Sequence, residues 1–178
     1  MLTIIIGGAG SGKSAFAEEL VCRLPGQRLY IATMIAQDPE SRKRIERHRQ
    51  QRAGHGFQTL ERGTDLAGAV GADPSGTQIP KRANALLEDL SNLLANEMFS
   101  PEGGGPDAVR KGLRLLSEQC GNLTVVSNEI FSDGVEYEGE MLAYLRNLAR
   151  LNRELANEAD LVVEVVCGMP NVLKGKLP

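Results

Sequence analysis

The sequence predicts an α/β fold with a mostly parallel sheet flanked by helices, and two observations carry that expectation. Short apolar runs rich in Ile, Val and Leu recur along the 178 residues, continuous rather than alternating, as in strands buried on both faces. Segments with apolar residues at helical spacing separate these runs, and strand–helix alternation is the pattern of parallel crossover units. At 19.2 kDa the chain is long enough for one domain with a real core, residues 1–178, and too short for two comfortable ones.

Leu2 to Ile6 is a β-branched run that reads as the first buried strand. Lys13 to Leu24 follows as a helix stopped by Pro25-Gly26. RLYIATM, Arg28 to Met34, is the second strand, and Pro39 to Arg52 has helical composition, with Pro39 tolerated in a first turn. Phe57 to Glu61 is a short strand, and 71–82 is a turn-rich surface loop. Ala85 to Leu87 is an apolar run ending in Glu88-Asp89, and SNLLANEMF continues as a helix. SPEGGGP, 100–106, is a loop. Asp107 to Gln119 carries Val109, Leu113 and Leu116 on one helical face. Leu123 to Ser127 is a strand, Gly139 to Glu158 a leucine-spaced helix, and Leu161 to Val166 the last buried strand.

Composition removes several function classes. Aromatic residues make up 4% with no Trp, too few for platforms that stack single-stranded nucleic acid. The net charge of -3 gives no overall attraction to nucleic acid or an anionic membrane, so any basic function is local. Cys22, Cys120 and Cys167 are odd in number and far apart, which fits neither a zinc spacing nor a disulfide framework and suits a reducing cytoplasm. No apolar stretch approaches the roughly 20 residues of a membrane span, and LTIIIGG has no basic segment before it. The expectation is a soluble cytoplasmic protein without nucleic-acid partners.

Gly7, Gly8, Ala9, Gly10, Ser11, Gly12, Lys13 and Ser14 spell GGAGSGKS, a full match to the phosphate-binding pattern G-x-x-x-x-G-K-[ST]. The run sits where the chemistry requires it, after a buried strand and at the start of a helix. Glycines let backbone N–H groups wrap phosphate oxygens, and the helix start adds a favourable dipole. Lys13 brings charge to the outer phosphates, and the Ser14 hydroxyl can hold Mg²⁺. The motif in this context predicts a nucleoside triphosphate site rather than an empty strand–helix turn. Proteins with this loop also take an acid from the end of a neighbouring strand toward the metal, and Glu88 and Asp89 are the candidates. An acid there also favours the start of the following helix, so either residue can instead be a cap.

RKRIERHRQQR, residues 42–52, sets His48 among six cations and one acid, Glu46. On a helix Arg44, His48 and Arg52 share a face, and flanking cations keep the imidazole neutral. Neutral imidazole can attack an α-phosphorus and split a nucleotidyl transfer into two steps. Spacing alone favours the plainer alternative, a solvated basic helix with a bystander histidine. His55, between glycines, reads as a surface histidine.

Together these segments resemble the bifunctional adenosylcobinamide kinase / adenosylcobinamide-phosphate guanylyltransferase family of cobalamin synthesis. The likeness runs nearly end to end through GGAGSGKS, LYIAT, RIERHRQQR with FQTLE, LLED-SNLL, VVSNE and ARLNRELANEADLVVEVVCGMPNVLKG. It implies a RecA-like P-loop fold and a homo-oligomer, with a trimer one of the forms left open. It also implies two reactions on a corrinoid: phosphorylation of the adenosylcobinamide hydroxyl by ATP or GTP, then GMP transfer from GTP through a GMP–histidine intermediate. His48 falls at the histidine of RI-x-x-H, which reverses the order of the two readings of that residue. The resemblance further implies nucleotide contacts by Ala32, Thr33, Met34, Arg49, Gln50, Gln51, Arg52, Glu61 and Glu88, with Mg²⁺ on Ser14 and Glu88. The family often reads NEVGxGIVP where this chain has NEIFSDGVE at 128–136. An enzyme keeping one of the two activities, or a GTP-binding regulatory protein, is the alternative.

Overall fold

The computed structural model describes residues 1–35, 43, 46, 50, 54–71 and 79–178. Seven strands form one sheet in the order β3-β2-β4-β5-β1-β6-β7: β1 Leu2–Gly7, β2 Arg28–Ala32, β3 Phe57–Glu61, β4 Asn84–Glu88, β5 Asn122–Asn128, β6 Leu161–Val166 and β7 Met169–Lys174. Every neighbouring pair is parallel except β6–β7, which is antiparallel. The helices are α1 Lys13–Cys22, α2 Leu66–Gly71, α3 Leu90–Phe99, α4 Gly105–Gln119 and α5 Gly139–Glu158. Lys43, Glu46 and Gln50 are also helical, with Gln50 Nε2 donating to Glu46 Oε1 at 3.1 Å.

Strand side chains alternate between the two faces of the sheet, which produces two cores. Ile4, Leu29, Ile31, Ala85, Leu87, Leu123 and Val125 point toward α2, α3, α4 and α5, meeting Leu66, Leu93, Leu94, Val109, Leu116, Leu148 and Leu151. Ile5, Tyr30, Leu86, Val126, Val163 and Val165 point the other way, onto Ala17, Leu20 and Val21 of α1. Among the described residues one helix, α1, covers the sheet centre on this face, so the turn that launches it is held against buried strands. The β1–β5 register pairs Gly7 with Asn128, and the β2–β4 register pairs Ala32 with Glu88. The carboxyl ends of these strands line one rim, where open parallel sheets bind their ligands.

Several boundaries differ from the sequence expectation. β2 ends at Ala32 instead of Met34; Thr33 N–H still donates to Glu88 O at 3.0 Å, while the Thr33 hydroxyl turns to the Glu88–Asp89 backbone. The helix α1 ends at Cys22, with Arg23 and Leu24 in a closing turn. The sequence reading ends the sheet at β6 and contains neither α2 nor β7. The loop expected at 100–106 is cut short by α4, which starts at Gly105 with Pro106 in its first turn. Of the predicted 71–82 loop, residues 72–78 lie outside the described residues, while Ile79 is buried in the larger core.

Ile5 is fully buried between β1's neighbours and α1. Ile5→Ala is expected to lower unfolding free energy by about 2–5 kcal/mol, read as a shift in urea midpoint at unchanged slope.

Candidate active site

The loop after β1 is shaped by two left-handed glycines, Gly10 at φ 70° and Gly12 at φ 89°. Gly12 is the N-cap of α1 and offers no side chain, so the first-turn amides have no side-chain cap. That is an anion site in waiting: backbone donors, the positive end of a helix, and space made by glycine. Lys13 is 7% exposed, and its Nζ donates to Gly8 O at 3.2 Å. The ammonium is therefore folded back over the loop where outer phosphates would lie, with further donors to give.

Ser14 lies on the first turn of α1, and its Oγ donates to Glu88 Oε1 at 2.5 Å. Glu88 ends β4, two strands from β1, and its Oε2 is sealed from solvent with no hydrogen-bond partner. Ser11 Oγ is a second buried polar atom without a partner, inside the phosphate loop. Burial pushes the Glu88 carboxyl up to about 8; the Ser14 hydrogen bond and the Lys13 charge pull it down, and the Asp89 and Glu18 charges add to the rise. A hydroxyl and a carboxylate with an unspent oxygen are hard donors of the kind Mg²⁺ takes. That ion uses one or two protein ligands and completes its shell with phosphate and water. The residues present therefore fit Mg²⁺ held with a nucleotide. Among the described residues no group of three or more His, Cys, Asp or Glu offers a metal cage.

Asp89, the other candidate acid, is committed elsewhere. Its carboxylate caps α3, accepting from Asn92 N at 2.7 Å, from Ser91 Oγ at 2.5 Å, and from Asn92 Nδ2 and Asn128 Nδ2 at 3.2 Å each. Four donors leave it little capacity for a metal, so the two acids divide between site and scaffold. Asn128 Nδ2 also donates to Ser91 Oγ at 2.5 Å, and Tyr144 OH donates to Ser91 O at 3.1 Å. This polar cluster on the β4–β5 rim was missed from sequence; its signal was an SN pair near each strand end, Ser91-Asn92 in the first turn of α3 and Ser127-Asn128 closing β5.

Residues 3–173 match the family model described as "Cobinamide kinase / cobinamide phosphate guanyltransferase". The chain belongs to this family. It is 33% identical over 184 residues to "Bifunctional adenosylcobalamin biosynthesis protein CobU" of Escherichia coli strain K12, covering 95% of this chain and 97% of that one. It is 34% identical over 179 residues to "Bifunctional adenosylcobalamin biosynthesis protein CobP" of Pseudomonas aeruginosa, covering 99% of each. Among solved structures it is similar to the P4 protein from bacteriophage phi6 in complex with ADP, at TM-score 0.45 and 12% identity, covering 97% of this chain and 52% of that one.

For this cobinamide kinase / guanyltransferase chain, the predicted site residues fall into three groups. Gly7 to Ser14 and Glu88 converge at the rim between β1 and β4. Ala32, Thr33 and Met34 lie at the end of β2, next to Glu88. Thr33 is fully buried, and its hydroxyl donates toward Glu88 O and Asp89 O at 3.0 and 2.9 Å while accepting from Asp89 N at 2.8 Å. Asn96 Nδ2 donates to Thr33 O at 2.8 Å, fixing the same segment from α3. Glu61 ends the edge strand β3, four strand steps from β1, or about 19 Å at the usual inter-strand spacing. Gln50 is exposed and helical; His48, Arg49, Gln51 and Arg52 lie outside the described residues. His55 is exposed, with Nδ1 3.6 Å from Glu18 Oε2.

The Glu88 carboxyl keeps its proton up to about pH 8 in the folded chain but releases it near 4.5 when free of the fold. The folded state binds more protons between those values, so this stability is full below the lower value and is lost as pH rises through the upper one. Thermal midpoints of metal- and nucleotide-free protein are expected to decline from pH 5 to pH 9, and Glu88→Gln is expected to flatten that decline.

Proposed function

We propose that this chain phosphorylates the hydroxyl of adenosylcobinamide with ATP or GTP and then transfers GMP from GTP to the resulting phosphate. The observation that carries the reading is Ser14 Oγ on Glu88 Oε1 at 2.5 Å beside a phosphate loop whose lysine is buried, in a chain of this family. A magnesium–nucleotide pair is what that arrangement suits, and a kinase and a nucleotidyltransferase both require one.

In the kinase step the hydroxyl oxygen attacks the γ-phosphorus, the bond from that phosphorus to the bridging oxygen breaks, and the nucleoside diphosphate leaves. The hydroxyl proton goes to water. The loop amides and Lys13 Nζ hold the transferring phosphoryl and stabilise charge on the leaving oxygens. Ser14 and Glu88 would hold Mg²⁺, which when bound neutralises charge on the phosphates. In the second reaction a neutral His48 nitrogen attacks the α-phosphorus of GTP, a P–N bond forms, and pyrophosphate leaves. The phosphate oxygen of the corrinoid then attacks that phosphorus, and the imidazole departs with its electron pair. The arginines around His48 disfavour imidazolium and so keep the nucleophile available.

The same reading makes the protein a cytoplasmic homo-oligomer. Exposed Met169, Val172 and Leu173 on the edge strand β7 support a surface that another copy covers. No described helix is long and apolar enough to cross a membrane.

Incubation with α-³²P-GTP and Mg²⁺ followed by denaturation is expected to leave an acid-labile, base-stable label on the protein. His48→Ala is expected to abolish the label while keeping cobinamide phosphorylation. Lys13→Ala is expected to lower kcat of both transfers by about 10²–10³. Absence of label from a parent chain that binds GTP would remove the nucleotidyl half and leave the kinase.

A further inference from the structure

β6 and β7 are joined by Cys167 and Gly168, both with positive φ, 52° and 77°. That is the φ signature of a two-residue type I′ hairpin turn, for which Asn-Gly is the usual sequence. Cysteine seldom adopts this backbone, and an outlier beside a site points to a geometric demand there. The demand is visible in the neighbouring loop. Gly168 N–H donates to Ser11 O at 2.8 Å, tying the C-terminal hairpin to the phosphate loop. The approach is close enough that a Cβ on Gly12 would sit 3.1 Å from Gly168 Cα. At the start of the loop, Gly7 closes β1 beside β6, and a Cβ there would meet Val165 O at 2.6 Å. Three positions of the phosphate loop are thus in contact with residues 165–168, far along the chain.

A planar trans peptide directs its C=O and its N–H to opposite sides. Ser11 O and Gly12 N–H belong to one peptide unit, so pinning the carbonyl toward Gly168 turns the Gly12 amide away from the hairpin. We propose that Gly168 is a positioning residue for nucleotide binding: its N–H orients the Ser11–Gly12 peptide so that Gly12 donates to phosphate. The inference rests on the reading of the loop as a nucleotide site. It adds that the loop's geometry is supplied in part by the β6–β7 turn rather than by the loop's own sequence.

Space around Gly168 is open, with no atom within 4 Å of an added Cβ, so Gly168→Ala perturbs the turn through its backbone alone. The test measures Mg·GDP binding by calorimetry and hydrogen exchange at the Gly12 amide, in the parent, Gly168→Ala and Gly168→Asn. Expected is a loss of about fivefold in affinity for the alanine variant, the scale of left-handed strain in a non-glycine residue. Nucleotide-induced protection of the Gly12 amide falls with it. Asparagine, which tolerates this backbone better, recovers most of both. Affinity within twofold of the parent and unchanged Gly12 protection in a folded Gly168→Ala chain would overturn the proposal. Should the alanine variant not fold, the asparagine variant decides: a fall in affinity accompanied by a fall in Gly12 protection supports the brace, and parent-level values of both, or loss of affinity with Gly12 protection intact, overturn it. Mg·GDP binding involves no corrinoid and no chemistry. A chain that binds it through this brace yet transfers nothing to cobinamide therefore fails the functional reading alone, whereas a parent that binds no Mg·GDP overturns both.

Discussion

The hydrogen bond from Ser14 to Glu88 is the contact on which the rest of the site depends. It joins the first turn of α1 to the end of β4, which are separated in sequence but brought together by the order β4-β5-β1. Leu86 and Val126 on one face, packed against Ala17 and Val21, hold α1 across those strands. The carboxylate is consequently buried beside the loop, and the cost of that burial appears as the raised Glu88 titration. A buried acid with one oxygen spent on serine and one unspent is poised for a cation that arrives with its own phosphate ligands.

The scaffold around Glu88 is built from groups hydrogen-bonded to one another and to the backbone. Thr33 and Asn96 fix the end of β2, Asp89 caps α3, and Asn128 and Ser91 close the cluster between β4 and β5. Glu97, 2% exposed, takes Asp65 N and Gly104 N at 2.6 and 2.7 Å, anchoring the loops before α2 and α4. On the other side of the loop, the β6–β7 turn adds the Gly168 contact. The phosphate loop is therefore held from both flanks, by β4 through Ser14 and by the hairpin through Ser11.

Much of this was legible in the chain. Leu2 to Ile6 followed by GGAGSGKS identified the central strand, the loop and the start of α1, because β-branched runs and glycine at fixed offsets carry strong local preferences. The ALLED run gave the end of β4, two strands from β1, and narrowed the metal-side acid to two residues. Strand-end position left both open and the resemblance pointed to Glu88; the fold makes the division by which side chain faces α1 and which meets Asn92 N. β7 was illegible because all six of its residues are exposed and Pro170 weakens the pattern. α2, with two glycines in LAGAVG, has little propensity of its own. It is stabilised by Leu66 and Ala69 in the core and by close packing of Leu66 on Gly112, where a Cβ would meet Leu66 Cβ at 2.5 Å. The role proposed for His48 comes from resemblance, since helical spacing alone favours a solvated basic face.

The most direct test of the central claim is the Mg²⁺ dependence of GTP binding in parent and Glu88→Gln chains, measured by calorimetry at pH 8. If the Ser14–Glu88 pair holds the metal with the nucleotide, Mg²⁺ tightens GTP binding in the parent and has little effect on the variant, whose metal-free affinity stays near the parent's. A variant whose affinity for GTP still responds to Mg²⁺ as the parent's does would contradict the account, because the metal would then be held without the carboxylate around which the site is built.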